Sequence, residues 1–552
     1  MKFQLSTTVR HSLLLAIFGA LFFVPGLGGV HLFDWDEVNF AEISREMMAL
    51  KDYFRIYVNF EPFWEKPPFF FWLQAAAMKG FGVGEFAARL PNALCGIATL
   101  VVLYQIGRRL YSPRFGLLWA GSYFGSILPF LYFKSGIIDP WFNLFIFLGL
   151  YSFLLFYWRK EGVPSIALSR SKWTYLFWGG FFVGMAILTK GQVAYLLVCL
   201  TLFAYWLYQR LRLYVSVPQF LFFTLAATLV TLAWYGLETW KHGPWFIVEF
   251  NKYQYRLFST PDAGHRGFPG YHFLVLLVGC FPASIFALRA FFHRPGGEEA
   301  PHRRDFHRWM VYLFWVVLIL FTLVKSKIVH YSSMCYFPLT FLAARTIEQL
   351  WRGEIRFGPW LKAGLWLIGS SYAAAFLAIP WLMRDPSWLQ SRLRDPFAQG
   401  NLEAAVEWTG WEMLPGIFLF LLLGTTIWLV QRQRHQIAWP TLFGGIGVFI
   451  LLTLYFYVGR IEAYSQRAAV EFFAEKAGED AHYLTYGYKS YVHLFYGRTT
   501  ETQDKHRLLQ GPIDKPVYIS TKVHKAAELE ALPGMQRIGE RNGFVFFRRD
   551  PE

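Results

Sequence analysis

The fold is decided by apolar stretches such as WTYLFWGGFFVGMAILTKGQVAYLLVCLTLFAYWLY, which occupies residues 173–208. An α-helix needs roughly 20 apolar residues to cross the hydrocarbon core of a bilayer, so one uninterrupted helix here would be too long. Lys190 and Gly191 interrupt the stretch near its middle. The stretch therefore predicts two membrane-spanning helices joined by a short outward turn at Lys190-Gly191.

The composition of the whole chain is that of a membrane protein. Of its 552 residues, 55% are hydrophobic, 20% are aromatic and only 16% are charged. The net charge of +16 comes from short basic clusters between apolar runs, which indicates topological anchoring and no nucleic-acid partner. The four cysteines lie inside apolar runs without CxxC spacing, so neither a disulfide framework nor a zinc site is indicated.

Apolar segments long enough to span recur thirteen times. They lie at 12–30, 89–107, 115–133, 140–158, 173–190, 193–209, 217–236, 271–291, 309–324, 332–348, 360–382, 412–430 and 437–458. The first lacks a small-residue cleavage site and is long enough to span, so it is predicted to be a retained helix and not a signal peptide. The predicted fold is an α-helical polytopic membrane protein with about thirteen spans.

Basic residues recur in every second predicted loop, as the positive-inside rule requires if the N-terminus is cytoplasmic. The clusters are Arg108, Arg109 and Arg114; Arg159, Lys160, Arg170 and Lys172; Arg210 and Arg212; Arg294, Arg303, Arg304 and Arg308; Arg352 and Arg356; and Arg432 and Arg434. An odd number of spans then puts the C-terminus outside, in the periplasm of a Gram-negative cell.

Two polar regions fall on the predicted outer side. Residues 31–89 form the first outward loop, in which 38–50 and 67–79 are amphipathic and are predicted to lie along the membrane surface. Residues 459–552 combine an amphipathic helix at 466–476 with β-rich runs at 482–486, 516–520 and 543–548. The predicted organisation is a membrane domain at 1–458 and a small extracytoplasmic α/β domain at 459–552.

Asp36 and Glu37 directly follow the first span, near the level of the lipid headgroups. A partly desolvated carboxylate can have a raised pKa and accept a proton from an incoming hydroxyl, as a general base does. The alternative is that the pair caps the helix that begins near Val38.

Two further outward positions carry candidate functional residues. In Glu65-Lys66-Pro67-Pro68 the two prolines stiffen the chain beside Lys66. The ammonium of Lys66 suits a phosphate, and the alternative is that it only extends to the lipid headgroups. Asp139 precedes Pro140 in a very short turn between apolar segments. A charge so close to hydrocarbon is costly and therefore indicates a functional site. The alternative is that Asp139 is the N-cap of the helix that follows.

Several cations stand on the outward side, where the positive-inside rule does not put them. They are Lys190, Lys325 and Lys327, the last two close to His330 and Tyr331, and Arg256 in an aromatic and glycine-containing loop at 241–271. An anionic group at the outer membrane face, such as a lipid phosphate, would pair with them, and binding to ordinary headgroups is the alternative. The loop itself suits closure over a substrate or ordinary solvation.

Four motifs in this order resemble glycosyltransferases of the GT-C type, in the aminoarabinose transferase branch related to protein O-mannosyltransferases. The motifs are Trp35-Asp36-Glu37 with 40–47, Glu65-Lys66-Pro67-Pro68, Leu188-Thr189-Lys190-Gly191, and 325–331. Each is weak alone, whereas the ordered set over about 350 residues is fairly specific. The thirteen-span plan with an outward C-terminal domain also resembles that branch.

The resemblance implies inverting transfer of a sugar from an undecaprenyl-phosphate-type donor to an acceptor at the outer face of the inner membrane, without a nucleotide. It implies Asp36 as base, supported by Glu37, with Asp139 positioning the acceptor or assisting the base. Lys66, Lys190, Arg256, Lys325 and Lys327 would neutralise the leaving phosphate, and Tyr331 and His330 would belong to the donor site. Glu65 is left with two roles, an ion pair with Lys66 or a ligand of a divalent metal.

The chain departs from the family where the branch commonly has Lys-Leu-Pro and this sequence has Lys327-Ile328-Val329-His330. The resemblance favours a lipid A-like glycolipid as the acceptor, as in lipopolysaccharide modification, with a protein hydroxyl or a growing glycan as the alternative. None of the motifs encodes the acceptor. A transporter or flippase of lipid-linked sugars is a third hypothesis, which predicts inverted repeats and charges near the bilayer centre, whereas the ionisable residues here cluster at one face.

Overall fold

The computed structural model describes residues 6–34, 36–163, 165–260, 267–292 and 299–551. The helices of the first half are α1 Thr7–Phe23, α2 Asp36–Ala49, α3 Phe69–Phe81, α4 Glu85–Leu110, α5 Pro113–Phe124, α6 Ile127–Tyr132, α7 Asp139–Lys160, α8 Lys172–Lys190, α9 Val193–Tyr208, α10 Val217–His242 and α11 Trp245–Ser259. Those that follow are α12 Tyr271–Gly279, α13 Ala283–Phe292, α14 Pro301–Leu323, α15 Tyr336–Trp351, α16 Pro359–Leu382, α17 Ser387–Gln390, α18 Pro396–Asn401, α19 Leu414–Gln431, α20 His435–Thr453, α21 Gly459–Ala463, α22 Arg467–Glu475, α23 Val492–Gly497, α24 Lys505–Gln510 and α25 Ala526–Glu530. The strands are β1 Tyr57–Val58, β2 Glu61–Pro62, β3 His482–Tyr486, β4 Val517–Lys522, β5 Met535–Arg541 and β6 Phe544–Arg549.

Each of the thirteen apolar segments predicted from the sequence coincides with one helix or with a broken pair of helices. Among the described residues, seven helices are long and apolar enough to cross a membrane by length and composition. The predicted helical, multi-span membrane fold is confirmed, and the count of thirteen stays a prediction.

One predicted span is broken where two backbones meet. The segment at 115–133 divides into α5 and α6 at Gly125. A Cβ atom on Gly125 would lie 2.5 Å from the Cα atom of Phe443 in α20, which only a glycine permits. The break lets α20 pack directly on this corner of the membrane bundle.

Aromatic rings fill the core between α5, α7, α14 and α15. Trp119 makes edge contacts with Phe147, Phe306 and Phe341 at centroid distances of 5.2–5.9 Å. Lipid tails are as apolar as these side chains, so close packing and not water exclusion holds such helices together. The consequence is a rigid bundle under the polar ends of α7, α8 and α15.

The C-terminal region contains a four-stranded sheet of order β3-β4-β6-β5, in which β3 and β4 are parallel and the other pairs are antiparallel. The small C-terminal α/β unit read from the sequence is therefore present. The last membrane helix runs through a π-helical turn, Leu454–Val458, into α21 and so passes the proposed boundary at residue 459 without a break. The division into domains at that residue stays a prediction.

The C-terminal region packs on the segment that follows α1. The backbone N–H of Leu32 donates to the hydroxyl of Tyr496 at 2.7 Å, and His31 pairs with Glu462. Gln466 accepts from the N–H of Asp34 at 2.8 Å and donates to the carbonyl of Leu32 at 2.7 Å. These contacts hold residues 31–34, which lead directly into α2.

Helix α2 begins and ends close to the predicted positions, but its surroundings differ from the prediction of a helix along the membrane surface. All residues from 37 to 47 are buried. The reason is that α3, β1 and α23 all pack against it. Its polar residues therefore face protein on both sides.

Candidate active site

A cavity of about 1830 Å³ opens at the polar ends of the membrane helices. Eight residues predicted as functional line it, namely Asp36, Glu37, Glu65, Lys66, Asp139, Lys190, His330 and Tyr331. They come from positions up to about 295 residues apart in the chain. The structure thus brings the four sequence motifs to one site, with Trp35 of the first motif outside the described residues.

Asp36 is the first residue of α2 and lies half-buried at the cavity wall. The free N–H groups of a helix N-terminus favour a negative charge there, so the carboxylate is stabilised where it meets the cavity. Its charge also reaches the imidazole of His330 and the hydroxyl of Tyr491. Both readings of Asp36 from the sequence, a helix-start residue and a carboxylate at the site, fit this position.

Glu37 is buried, and both of its oxygens accept hydrogen bonds from protein groups. Arg89 donates Nε to Oε1 at 3.0 Å and Nη2 to Oε2 at 2.8 Å. The backbone N–H of Gly136 donates to Oε1 at 2.6 Å and that of Phe33 to Oε2 at 3.0 Å. Burial raises the pKa of Glu37, but the Arg89 guanidinium and the backbone donors outweigh it and hold the pKa below its ordinary value. Glu37 is therefore an anion that fixes the start of α2, and its predicted catalytic role stays a prediction.

Asp139 and Lys190 form a buried ion pair at the floor of the cavity. Lys190 Nζ donates to Asp139 Oδ1 at 2.5 Å, and the Ser333 hydroxyl lies 3.5 Å from the same oxygen. Ser333 is itself held by Asn143, whose Nδ2 donates to its hydroxyl at 2.8 Å. Removing one partner of such a pair leaves an uncompensated buried charge, so the geometry of the two groups is tightly coupled.

The turn after Lys190 depends on Gly191. Its φ is +107°, and a Cβ atom there would lie 2.3 Å from Cζ of Phe250 in α11. Only glycine combines that backbone angle with so close a ring. The Lys190-Gly191 turn predicted from the sequence therefore also brings α11 against the cavity.

Lys66 stands at the entry to α3, after the short hairpin of β1 and β2. Its Nζ donates to the hydroxyl of Tyr253 at 3.3 Å and lies 4.8 Å from the centre of that ring. The ammonium groups of Lys66 and Lys190 and the carboxylates of Asp36 and Asp139 all act on His330. Lys190 also lies 5.5 Å from the ring centre of Tyr331. His330 therefore lies within electrostatic reach of two lysines and two carboxylates of the cavity and contacts the ring of Tyr331.

Three predicted phosphate-binding residues are described by the structure but are not among those that line the cavity. Lys327 Nζ donates to the carbonyls of Phe321, Thr322 and Val324, at the end of α14. Arg256 lies over the ring of Tyr253 at 5.2 Å, and Lys325 is exposed. A lysine at a helix C-terminus complements the helix dipole, which is enough to explain Lys327. The roles of these three residues in phosphate binding stay predictions, and residues 261–266 of the neighbouring loop lie outside the described residues.

Some cavity residues were missed by the sequence reasoning. They are Arg89, Lys134, Lys489 and Tyr491, whereas Tyr253 lies in the loop at 241–271 that was already considered for closure over a substrate. Arg89 stood at the start of a predicted span and Lys134 beside the end of another, where cations are ordinarily anchors. For Lys489 and Tyr491 the sequence offered no signal, because nothing local indicates that the C-terminal region reaches the cavity.

The remaining wall of the cavity is apolar. It includes Leu196, Leu197, Leu320, Val324, Val448 and Leu451, which come from α9, from α14 and the residue after it, and from α20. Polar groups at one end and aliphatic side chains along the wall suit an amphipathic molecule with a charged head and a hydrocarbon chain. Among the described residues there is no cluster of three or more His, Cys, Asp or Glu side chains that could hold a metal ion, and metal binding by Glu65 stays a prediction.

Comparisons with known proteins agree with the motif resemblance. Residues 65–234 match the family model described as dolichyl-phosphate-mannose-protein mannosyltransferase. An undecaprenyl phosphate-alpha-4-amino-4-deoxy-L-arabinose arabinosyl transferase of Edwardsiella ictaluri is 27% identical over 379 residues, covering 66% of this chain and 65% of that protein. The transferase of the same name from Pseudomonas aeruginosa is 31% identical over 350 residues, covering 61% and 59%. This chain thus spans 65% or less of the length of these two relatives.

Among solved structures, ArnT from Cupriavidus metallidurans bound to undecaprenyl phosphate superimposes with a TM-score of 0.77 at 18% identity, covering 98% of both chains. The same protein in its apo state gives a TM-score of 0.75. The GT-C fold predicted from the sequence is therefore confirmed. The predicted resemblance to the aminoarabinose transferase and protein O-mannosyltransferase superfamily is confirmed by the family model and the sequence relatives.

Proposed function

We propose that this chain, a multi-span member of the GT-C superfamily of aminoarabinose and protein O-mannosyl transferases, moves a sugar from a polyprenyl-phosphate-linked donor to an acceptor. The single observation that carries the proposal is the cavity in which Asp36, Lys66, Lys190, Asp139, His330 and Tyr331 meet beside an aliphatic wall. A phosphate group suits the lysines, and a long isoprenoid chain suits the wall.

The proposed reaction is a single displacement at the anomeric carbon. An acceptor oxygen forms the new bond to that carbon, the bond between the carbon and the phosphate oxygen breaks, and the configuration inverts. Asp36 takes the proton of the acceptor hydroxyl as general base. The leaving group is the polyprenyl phosphate, which departs with the electron pair of the broken bond.

The lysines stabilise the charge that develops on the leaving phosphate. Lys66 and Lys190 lie at the cavity with Tyr331 and His330, and such fixed cations act more strongly in a site with restricted water than in bulk solvent. Asp139 holds Lys190 at 2.5 Å and so sets the position of its charge. Asp139 is therefore proposed to orient this cation as well as the acceptor.

The proposed acceptor is a glycolipid of the lipid A type. Support comes from the relatives, which are named as arabinosyl transferases that use an undecaprenyl-phosphate-linked sugar, and from the aliphatic wall of the cavity, which suits lipid molecules. A protein hydroxyl is the alternative acceptor, because the matching family model is that of a protein mannosyltransferase.

The proposed location is the inner membrane, with the N-terminus cytoplasmic and the C-terminal region on the outer side. The support is the alternation of basic loops, which predicts an outward position both for the loops that contribute to the cavity and for the C-terminal region. Transfer would then take place at the periplasmic surface, where no nucleotide sugar is required.

The test is a transfer assay with purified protein, a panel of polyprenyl-phosphate-linked sugars, and lipid A and hydroxyl-bearing peptides as acceptors. Asp36→Asn should lower kcat by roughly 10²–10⁴-fold, the usual contribution of a general base. Asp480→Asn is the matched control, because Asp480 is 83% exposed and pairs only at the surface, with Lys515. Full activity of Asp36→Asn would exclude Asp36 as base, and consumption of a nucleotide sugar without any lipid-linked sugar would exclude the donor class.

A further inference from the structure

Helix α2 carries an acidic residue of interest near each of its ends. Asp36 is its first residue and lines the cavity, whereas Glu46 lies ten residues later and is fully buried. At 1.5 Å per residue the two lie roughly 15 Å apart along the helix axis. Glu46 is not among the described residues that line the cavity. Its effect on the site must therefore pass through the groups that it holds.

Glu46 holds the tip of the hairpin formed by β1 and β2. The backbone N–H of Asn59 donates to Oε1 at 2.7 Å, and that of Phe60 donates to Oε2 at 2.9 Å. Both residues have a φ of +58°. A two-residue hairpin loop with two positive φ angles favours Asn-Gly, so Phe60 occupies the position that suits glycine. Such a conformation persists only where the surrounding groups hold it.

The same hairpin tip is tied to the C-terminal region. Asn59 Nδ2 donates to the carbonyl of Gln503 at 3.3 Å, and the N–H of Gln503 donates to Asn59 Oδ1 at 2.8 Å. The side-chain oxygen of Gln503 accepts from the N–H of Tyr483 in β3 at 2.9 Å. The tip is therefore held by α2 on one side and by the C-terminal sheet on the other.

The hairpin leads directly to Lys66. Its pairing extends beyond β2, because the N–H of Phe63 donates to the carbonyl of Ile56 at 2.9 Å. Phe63 precedes Lys66 by three residues, and Pro67 and Pro68 follow it before α3 begins. Prolines restrict the backbone, so a shift of the hairpin is not absorbed on that side of Lys66. The position of the hairpin therefore sets the position of Lys66.

From this arrangement we infer that Glu46 is a positioning residue, which clamps the β1–β2 hairpin and thereby fixes Lys66 relative to Asp36. One helix then sets the distance between the proposed base and the cation that receives the leaving phosphate. Asn59 and Gln503 complete the clamp from the C-terminal side. This assignment rests on the proposed transfer reaction and adds to it the residues that hold its base and its cation in register.

The experiment is a double-mutant cycle on Glu46 and Lys66, in which the Kd of undecaprenyl phosphate is measured in detergent micelles. Glu46→Leu removes both acceptors at the hairpin tip and should raise this Kd roughly 3- to 10-fold. The loss is smaller than that expected for Lys66→Met, because the ammonium is displaced and not deleted. In the Lys66→Met background, Glu46→Leu should change the Kd by less than about twofold, because no ammonium remains to be positioned.

Two further variants separate positioning from folding. Glu412 is also buried and accepts from the N–H of Gly410 at 2.8 Å, but it is not among the described cavity residues. Glu412→Leu should therefore lower the unfolding midpoint and leave the Kd within about twofold. Burial and the charge of Glu42 raise the pKa of Glu46 to about 9, so glutamine resembles the neutral side chain. Glu46→Gln should accordingly keep the Kd within about twofold of the wild type.

Asn59→Gly tests the other half of the clamp. Glycine adopts a positive φ without strain, so this variant removes only the side-chain hydrogen bonds to Gln503. It should raise the Kd roughly two- to fivefold, and only while Lys66 is present. Because it leaves the buried groups of α2 intact, Asn59→Gly carries the cycle with Lys66→Met in case Glu46→Leu does not fold.

The cycle decides between a positioning and a merely structural role. An equal loss with and without Lys66, no loss in either background, or an equal loss in Glu412→Leu would overturn the assignment. If the wild type binds undecaprenyl phosphate but transfers no sugar, the proposed function fails while the cycle still decides the inference. Absence of undecaprenyl phosphate binding by the wild type would refute both.

Discussion

Replacing Glu37 by Gln separates a structural from a catalytic role for this residue. Glutamine keeps one acceptor oxygen for Arg89 Nε and the Gly136 N–H, but its amide nitrogen replaces the oxygen that accepts from Arg89 Nη2 at 2.8 Å and from the Phe33 N–H at 3.0 Å. The N–H groups of Arg89 and Phe33 then face the N–H groups of the glutamine amide, and no acceptor remains for them at that position. The guanidinium also remains buried without its counter-charge.

The expected cost follows from the loss of one charged and one neutral hydrogen bond and from the orphaned Arg89. Removing one partner of a buried ion pair typically costs about 3–5 kcal/mol. We expect Glu37→Gln to lower the apparent midpoint of thermal unfolding in detergent, with activity falling in proportion to the folded fraction. Glu61→Gln is the control, because Glu61 is exposed on β2 in the same loop.

The contribution of Glu37 to the stability of the fold should depend on pH. The pKa of Glu37 is lowered in the folded protein, so its contribution is present above the ordinary carboxyl pKa of about 4.3 and is lost as the pH falls through the folded value. The wild type and Glu37→Gln should therefore differ at pH 7 and converge in acid. An unchanged midpoint at pH 7 with abolished transfer would refute the structural role and return Glu37 to the catalytic residues.

Three more outcomes are expected. Lys190→Met removes the partner of Asp139, so kcat for transfer should fall roughly 10²–10³-fold. Lys190→Arg keeps the positive charge and should retain part of the activity. A kcat of the Met variant near that of the wild type would contradict the role of this cation. Lys66→Met should weaken undecaprenyl phosphate binding roughly 10- to 100-fold and Lys325→Met by less than about twofold, since only Lys66 lines the cavity; equal losses in equilibrium binding would contradict this distinction. Burial beside Glu42 raises the pKa of Glu46 to about 9, so the unfolding midpoint of the wild type should fall as the pH rises from 5 to 9. Glu46→Gln should make this fall smaller. The same dependence of the midpoint on pH in both proteins would count against the raised pKa.

The sequence predicted the membrane helices well because long apolar runs have few alternatives. The positions of α7, α8 and α10 match the predicted spans within a few residues at most of their ends. The break at Gly125 was not predicted, because it depends on the approach of Phe443, more than 300 residues away. Local hydropathy contains no information about such a contact.

Only some residues of the candidate site were predicted, because the prediction depended on a rule about where charges stand relative to the membrane. The outward cations were recognised because they violate a charge rule, and this signal found Lys66 and Lys190 at the cavity. The same signal selected Lys327, whose ammonium binds the carbonyls that end α14. A charge rule identifies the side of the membrane but not the direction of a side chain.

The partners of α2 could not be foreseen from its own pattern. A period of 3.6 residues predicts one buried face, yet α3, β1 and α23 cover this helix from several sides. The Arg89 that neutralises Glu37 is 52 residues away and stood in the sequence as an ordinary end of a span. Buried charge pairs of this kind become visible only when the chain is folded.

The contacts of residues 31–34 with Glu462, Gln466, Tyr491 and Tyr496 also bear on how the protein is made. During synthesis the segment that leads to Asp36 emerges early, whereas the groups that hold it are among the last to be translated. A chain that ends before residue 490 has Glu462 and Gln466 but lacks Tyr491 and Tyr496, so residues 31–34 are held by fewer contacts. Truncations near the C-terminus are therefore expected to loosen the segment that leads to Asp36, about 450 residues earlier in the chain.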